Sequence, residues 1–139
     1  MAVNELREAV RAELQADVGI EFVSGAIPED DVPVMRRDRG YVWVDGFARD
    51  PDMAIWEETT VQARVYLQYV EARSDEEPVD PAPLEDLAEQ LRDALQNKRS
   101  LTDSSGTSWL LRFVSADLDY ETMSVVATVM AGRPNPYET

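Results

Sequence analysis

The stretch "TTVQARVYLQYV", residues 59–70, alternates in the manner of a β-strand. Val61, Ala63, Val65, Leu67 and Tyr69 fall on one side of it, and Gln62, Arg64, Tyr66 and Gln68 on the other, because successive side chains of a strand point to opposite faces. The first set suits a hydrophobic core. The second mixes an arginine, a tyrosine and two glutamines, so it is neither core nor a plainly charged solvent face, and its partner is the question the sequence poses.

Working outward, "YVWVDGF" (41–47) reads as a strand joined to 59–70 by "ARDPDMA" (48–54), which together predict an antiparallel hairpin with an extended loop. Before it, residues 23–40, "VSGAIPEDDVPVMRRDRG", mix Gly, Pro and both charge signs, which predicts loop, with a short extended piece at Ile20–Val23. In "NELREAVRAELQADV" (4–18) Leu6, Ala9, Val10, Leu14 and Val18 recur at three- and four-residue spacings, giving a helix with Asn4 placed to cap it. After the strand, residues 71–83, "EARSDEEPVDPAP", are acidic and proline-rich and predict a solvated connection. Pro81, Pro83 and Asp80 then open a second helix, with Glu85 and Asp86 at the positive end of its dipole. Its apolar face is Leu84, Leu87, Ala88, Leu91 and Leu95. The turn "TDSSGTS" (102–108) leads to two β-rich runs, "WLLRFVSADL" (109–118) and "TMSVVATVMAG" (122–132), and residues 133–139 read as an irregular, flexible tail.

The order helix, strand, strand, helix, strand, strand predicts one α+β domain over residues 1–139: a two-layer sandwich with a mainly antiparallel sheet and both helices on one face. The other face is then uncovered by this chain. Tyr66, Val126 and Met130 point to it, joined by Trp43 or its neighbours Val42 and Val44, and by Trp109 or Leu110, since those strands are apolar on both faces. Large apolar patches mark contact surfaces, and Trp, Tyr, Met and Arg are the residues enriched there. The competing expectation is that the tail, or the segment 20–40, folds back over the sheet.

Composition narrows the function. The 139 residues contain no cysteine and no histidine, which removes thiol nucleophiles, disulfides, thiolate metal sites and the usual general base. The net charge of -15, with Lys98 the sole lysine, opposes direct binding to phosphate backbones. The N-terminus has no signal-peptide pattern, and the longest apolar run, "SVVATVMAG" (124–132), is too short and polar to span a bilayer. The expectation is a soluble, non-enzymatic protein made in the cytoplasm, with no cofactor.

Other constellations carry little chemistry. "IPEDDVP" (27–33) and "RSDEEPVD" (73–80) gather carboxylates that could meet a hard cation, but they lack the spacing of a calcium loop and read as solvated. "PDMAIWEET" (51–59) lacks the lysine a Pro-Asp nuclease pattern would need, and Ser104, Ser105 and Ser108 have no base to activate them. No glycine-rich phosphate loop is present. The one concentrated positive cluster is Arg36, Arg37 and Arg39, whose expected partner in so acidic a chain is an acidic patch on a neighbouring subunit, with phosphate as the alternative.

Taken from "NELREAVRAEL" (4–14) through "EETTVQARVYLQYV" (57–70) and "PLEDLAEQLRDAL" (83–95) to "TMSVVATVMAG" (122–132), the layout of this short acidic chain resembles the tail terminator proteins of long-tailed, siphovirus-type bacteriophages. The resemblance implies a structural protein of the virion neck and tail, assembled in the host cytoplasm. Its copies would form a hexameric homo-oligomeric ring with head-to-tail contacts. That ring would cap the tail tube protein, stop polymerisation and present the docking surface for the head-completion or connector protein. DNA would pass through the acidic lumen without specific binding. Arg36, Arg37, Arg39, Trp43, Arg64, Tyr66, Gln68, Val126 and Met130 are then the expected subunit-interface residues. The small head-closure and tail-completion proteins of the same neck are similar in layout. A different class, an acidic module that mimics nucleic acid to block a basic partner, is the remaining alternative.

Overall fold

A computed structural model describes residues 2–25, 39–49, 56–67, 80–97 and 99–134. Its elements are α1 (Ala2–Val18), β1 (Glu21–Ser24), β2 (Arg39–Arg49), β3 (Trp56–Tyr66), α2 (Ala82–Gln96), β4 (Ser100–Thr102), β5 (Ser108–Asp119) and β6 (Ser124–Pro134). The six strands form one sheet in the order β1-β2-β3-β6-β5-β4. The sheet is mixed: β1 runs parallel to β2, and every other pairing is antiparallel.

This overturns the expected two-layer α+β sandwich with a mainly antiparallel sheet. The molecule is dominated by a curled, six-stranded mixed sheet, a half-barrel, with two helices among the described residues. The curl is visible in what α1 touches: β1 and β2 at one margin of the sheet and β4 at the other. A helix lying on a flat sheet of this width could not reach both. Two interruptions of register help bend it, between Val44 and Gly46 on β2 and between Phe113 and Ser115 on β5, since a bulge kinks its strand and increases local twist.

The period-two reading of residues 59–70 does locate the core. Val61, Ala63 and Val65 of β3 lie beside Val125, Ala127, Val129 and Ala131 of β6, all buried in the hollow of the sheet. Leu6, Val10 and Leu14 of α1 and Leu84, Leu87, Leu91 and Leu95 of α2 complete one continuous cluster with Phe22, Val42 and Trp109. Trp109 thus belongs to the interior, and Leu110, its neighbour, faces out at 55% exposure.

Local chemistry sets the element ends. The first helix starts at Ala2, two residues before the anticipated cap. In α2, Pro81 takes the N-cap position and cannot cap with its side chain, while Asp80 Oδ1 accepts the Ala82 N–H at 3.1 Å. Between β4 and β5, the buried Asp103 accepts from the N–H groups of Ser105 and Thr107, each at 3.0 Å, and from Trp109 Nε1 at 3.0 Å. A buried carboxylate is tolerable only when satisfied in this way. Gly106, at φ +84°, lets the turn close, and Ser105 Oγ donates to Glu5 of α1, tying this margin to the helix.

Candidate functional site

The second face of residues 59–66 lies on the convex side of the sheet, and its residues are joined to one another. Arg64 donates through Nε to Ser124 Oγ (3.1 Å) and through Nη2 to Asp119 Oδ2 (3.3 Å) and Thr122 Oγ1 (3.2 Å). Its guanidinium also lies 5.1 Å from the centre of the Tyr66 ring. Tyr66 meets Tyr41 edge to face, with centroids 6.0 Å apart and planes at 71°, the arrangement favoured by the ring quadrupoles. Val23 and the half-buried Trp43 pack against this pair. Gln62 Nε2 donates to Thr128 Oγ1 on β6. Tyr41 and Tyr66 are only 6% and 4% exposed, so the aromatic part of this face is already sheltered within one chain.

The expected interface residues divide accordingly. Trp43, Arg64 and Tyr66 come together. Arg39 is opposite Tyr66 in the β2–β3 register and donates to Glu21 at 3.1 Å. Val126 is opposite Arg64, half-buried on the same face. Met130 stands apart, opposite Thr60, and its sulfur accepts from Arg112. Arg36, Arg37 and Gln68 lie outside the described residues, as do both carboxylate-rich stretches except Asp80. No group of three or more His, Cys, Asp or Glu side chains among the described residues is placed to hold a metal. No described helix is long and apolar enough to cross a membrane.

Beyond Leu110, the sequence reading missed the apolar surface of β5. Leu110 (55% exposed), Val114 (49%), Leu118 (36%) and Tyr120 (39%) are the large exposed apolar side chains among the described residues, and all four stand on β5 or the turn that follows it. Two features of backbone pairing leave Val114 and Leu118 open. The partner on the outer side of β5, β4, covers only Ser108–Leu110, and one further bond from Leu111 N to Arg99 O ends the cover. From residue 112 to 119 that side has no strand beside it among the described residues. The bulge is the second feature, because it inserts Val114 as an extra residue opposite β6 and turns it outward.

Beside this open edge runs a groove of about 450 Å³ between α2 and β5, lined by Glu85, Ala88, Glu89, Arg92, Phe113, Ala116 and Leu118. Its floor is apolar and its helix wall is mainly acidic, with Arg92 already held by Glu89 and Asp93. Strict alternation cannot show a bulge, so in "WLLRFVSADL" the hidden signal was the double supply of apolar residues on both faces. No protein-family model matches this chain, and no curated protein matches it.

Proposed function

We propose that this chain is a structural virion protein that works by self-association: a tail terminator whose copies form a ring, six by the family resemblance, that caps the tail tube and offers the docking surface for the head. Supporting the assembly part of the reading is the gathering of Leu110, Val114, Leu118 and Tyr120 on one strand and its turn, since contiguous apolar surface marks contact sites. The tail-specific part rests on the layout of the chain as a short acidic protein with a proline-rich connection between two helix and hairpin units. Its excess of negative charge suits a ring that DNA must traverse without adhering.

The experiment is virion assembly without the chain. Electron micrographs should show overlong or headless tails, and addition of the purified chain should restore normal length. Tails of normal length attached to heads would end the reading. Light scattering on the purified chain with and without tail tubes would separate it from the nucleic-acid mimic, which should stay small in both.

A further inference from the structure

We infer that the open edge of β5 is a docking site for β5 of a second copy, paired antiparallel about a two-fold axis, and that this pair is how the free chain shelters its exposed strand in solution. The inference concerns the chain before any assembly and does not rest on the tail reading: a two-fold contact uses the same patch on both partners, whereas ring contacts run head to tail.

Three observations carry it. The first is that β1, at the opposite margin of the sheet, is closed. At β1, Phe22 N donates to Gln15 Oε1 (3.1 Å) and Phe22 O accepts from Arg11 Nη1 (3.2 Å), so α1 already occupies that edge. Beyond Val42 the outer side of β2 also has no strand beside it among the described residues, but the large exposed apolar side chains stand on β5 and its turn, so β5 is the edge with most to gain from a second copy.

The second is the match of faces. Pairing with β6 puts Leu111, Phe113, Ala116 and Leu118 on the inner face and Arg112, Ser115, Asp117 and Asp119 on the outer, with Val114 the extra residue. On its other side β5 is already followed by a strand without a bulge, β6, which leaves Val114 unpaired and keeps inner opposite inner on both sides of it, and a strand on the open side can do the same. A second copy of β5 can pair in this way too, each strand leaving its own Val114 out of the ladder. With Arg112 opposite the copy's Asp117 and Phe113 opposite its Ala116, inner meets inner and outer meets outer on both sides of the bulge.

The third is charge. Arg99 and Arg112 stand at one end of the open stretch, and Asp117 and Asp119 at the other. Arg112 is 4.0 Å from Glu58 and its side chain is 68% exposed, and Asp117 bonds only the neighbouring Ser115 hydroxyl. An antiparallel copy brings each basic end onto an acidic end, while a parallel copy would set like against like.

So short a strand pair falls below the ~1,200 Å² of a standard interface, which predicts a weak, concentration-dependent dimer. The absence of cysteine makes the test clean. Ser115 would sit beside the two-fold axis, so the full chain carrying Ser115→Cys should form a disulfide-linked dimer under mild oxidation at least tenfold faster than one carrying Ala16→Cys on the exposed side of α1. Within the Ser115→Cys chain, Arg112→Asp or Asp117→Arg alone should slow cross-linking at least tenfold, and the two together should restore it. Cross-linking at Ser115 no faster than at Ala16 would overturn the inference. So would an equal effect of the single and double charge changes, which would show that the register is wrong.

Discussion

The two margins of the sheet solve the same problem in opposite ways. At β1 the exposed edge is closed from within: Glu8, Arg11 and Gln15, three and four residues apart on one face of α1, reach Ser24 and Phe22 of the strand, Arg11 and Gln15 bonding both backbone groups of Phe22. At β5 the neighbouring strand is three residues long, and the rest of the edge has no strand beside it among the described residues. Both margins are tied to α1 by polar side chains, the second through Ser105 and Glu5, but the second also exposes Val114 and Leu118. An unpaired edge is a template for another strand, and among the described residues the edge that lies beside exposed large apolar side chains is the one at β5. Changes at β1 should then cost stability, and changes at β5 should cost association alone.

The largest effect is expected at Gly40. It lies opposite Phe22 in the parallel pair, and the Phe22 ring covers it so closely that a methyl group there would overlap three ring carbons. Phe22 is fully in the core at 2% exposure, so it has nowhere to move. Gly40→Ala should therefore destabilise the chain by about 3 kcal/mol, read as a drop in the urea midpoint. A loss below about 1 kcal/mol would show that the β1 margin is loosely packed.

Opening the edge without touching the core should cost less. Replacing Arg11 and Gln15 together by Ala leaves the Phe22 N–H and C=O to water, which predicts a loss of about 1–2 kcal/mol. Hydrogen exchange at the Phe22 amide should accelerate while the amides of β3 and β6 stay protected. Unchanged protection at Phe22 would mean that the helix does not close this edge.

What was legible in the sequence follows from this contrast. Residues with one dominant environment declared it: the Leu stripe of α2 and the alternation of Val61, Ala63 and Val65 are buried as their spacing predicts. The margins did not declare themselves. At β1 the short extended piece was visible at Ile20–Val23, but a parallel pairing to β2 joins residues separated by a long connection, and no local pattern encodes it. The three residues of β4 are too few for any periodicity. The curl of the sheet arises partly from bulges, which insert a residue without changing composition, and with it fell the expectation of a two-layer sandwich. The convex face was read correctly as holding Arg64 and Tyr66, yet those residues satisfy one another, and the exposed apolar surface lies on β5 instead.

The clasp at β1 also has a pH signature. Ser24 Oγ donates to the Glu8 carboxylate and Arg11 Nε donates to it at 2.9 Å, and these bonds, the serine first, hold the Glu8 carboxyl below its ordinary value near 4.5. A depressed folded-state value means that the unfolded chain takes up the proton first as pH falls. The contribution of Glu8 is therefore complete above about pH 4.5 and vanishes as pH drops through the folded value. The urea midpoints of the natural chain and of Glu8→Gln should differ at pH 7 and converge below pH 4.5. Because the side chain is 49% exposed, solvent screening keeps this effect smaller than that of the Arg11 and Gln15 pair. A gap that persists in acid would assign the contribution to hydrogen bonding alone.

The smallest effect on folding belongs to the other margin. Val114 is 49% exposed and stands at the bulge, with no strand beyond it among the described residues, so Val114→Lys should shift stability by less than about 0.5 kcal/mol, as surface changes do. Lysine on an edge strand is a standard deterrent to pairing, and in a two-fold pair it would set two ammonium groups beside the axis. The same substitution should therefore leave the urea midpoint in place and abolish the concentration dependence of the molecular mass. If Val114→Lys unfolds the chain instead, Val114 is part of the fold. The two margins would then not differ in kind, and the division between an edge that stabilises and an edge that associates would fail.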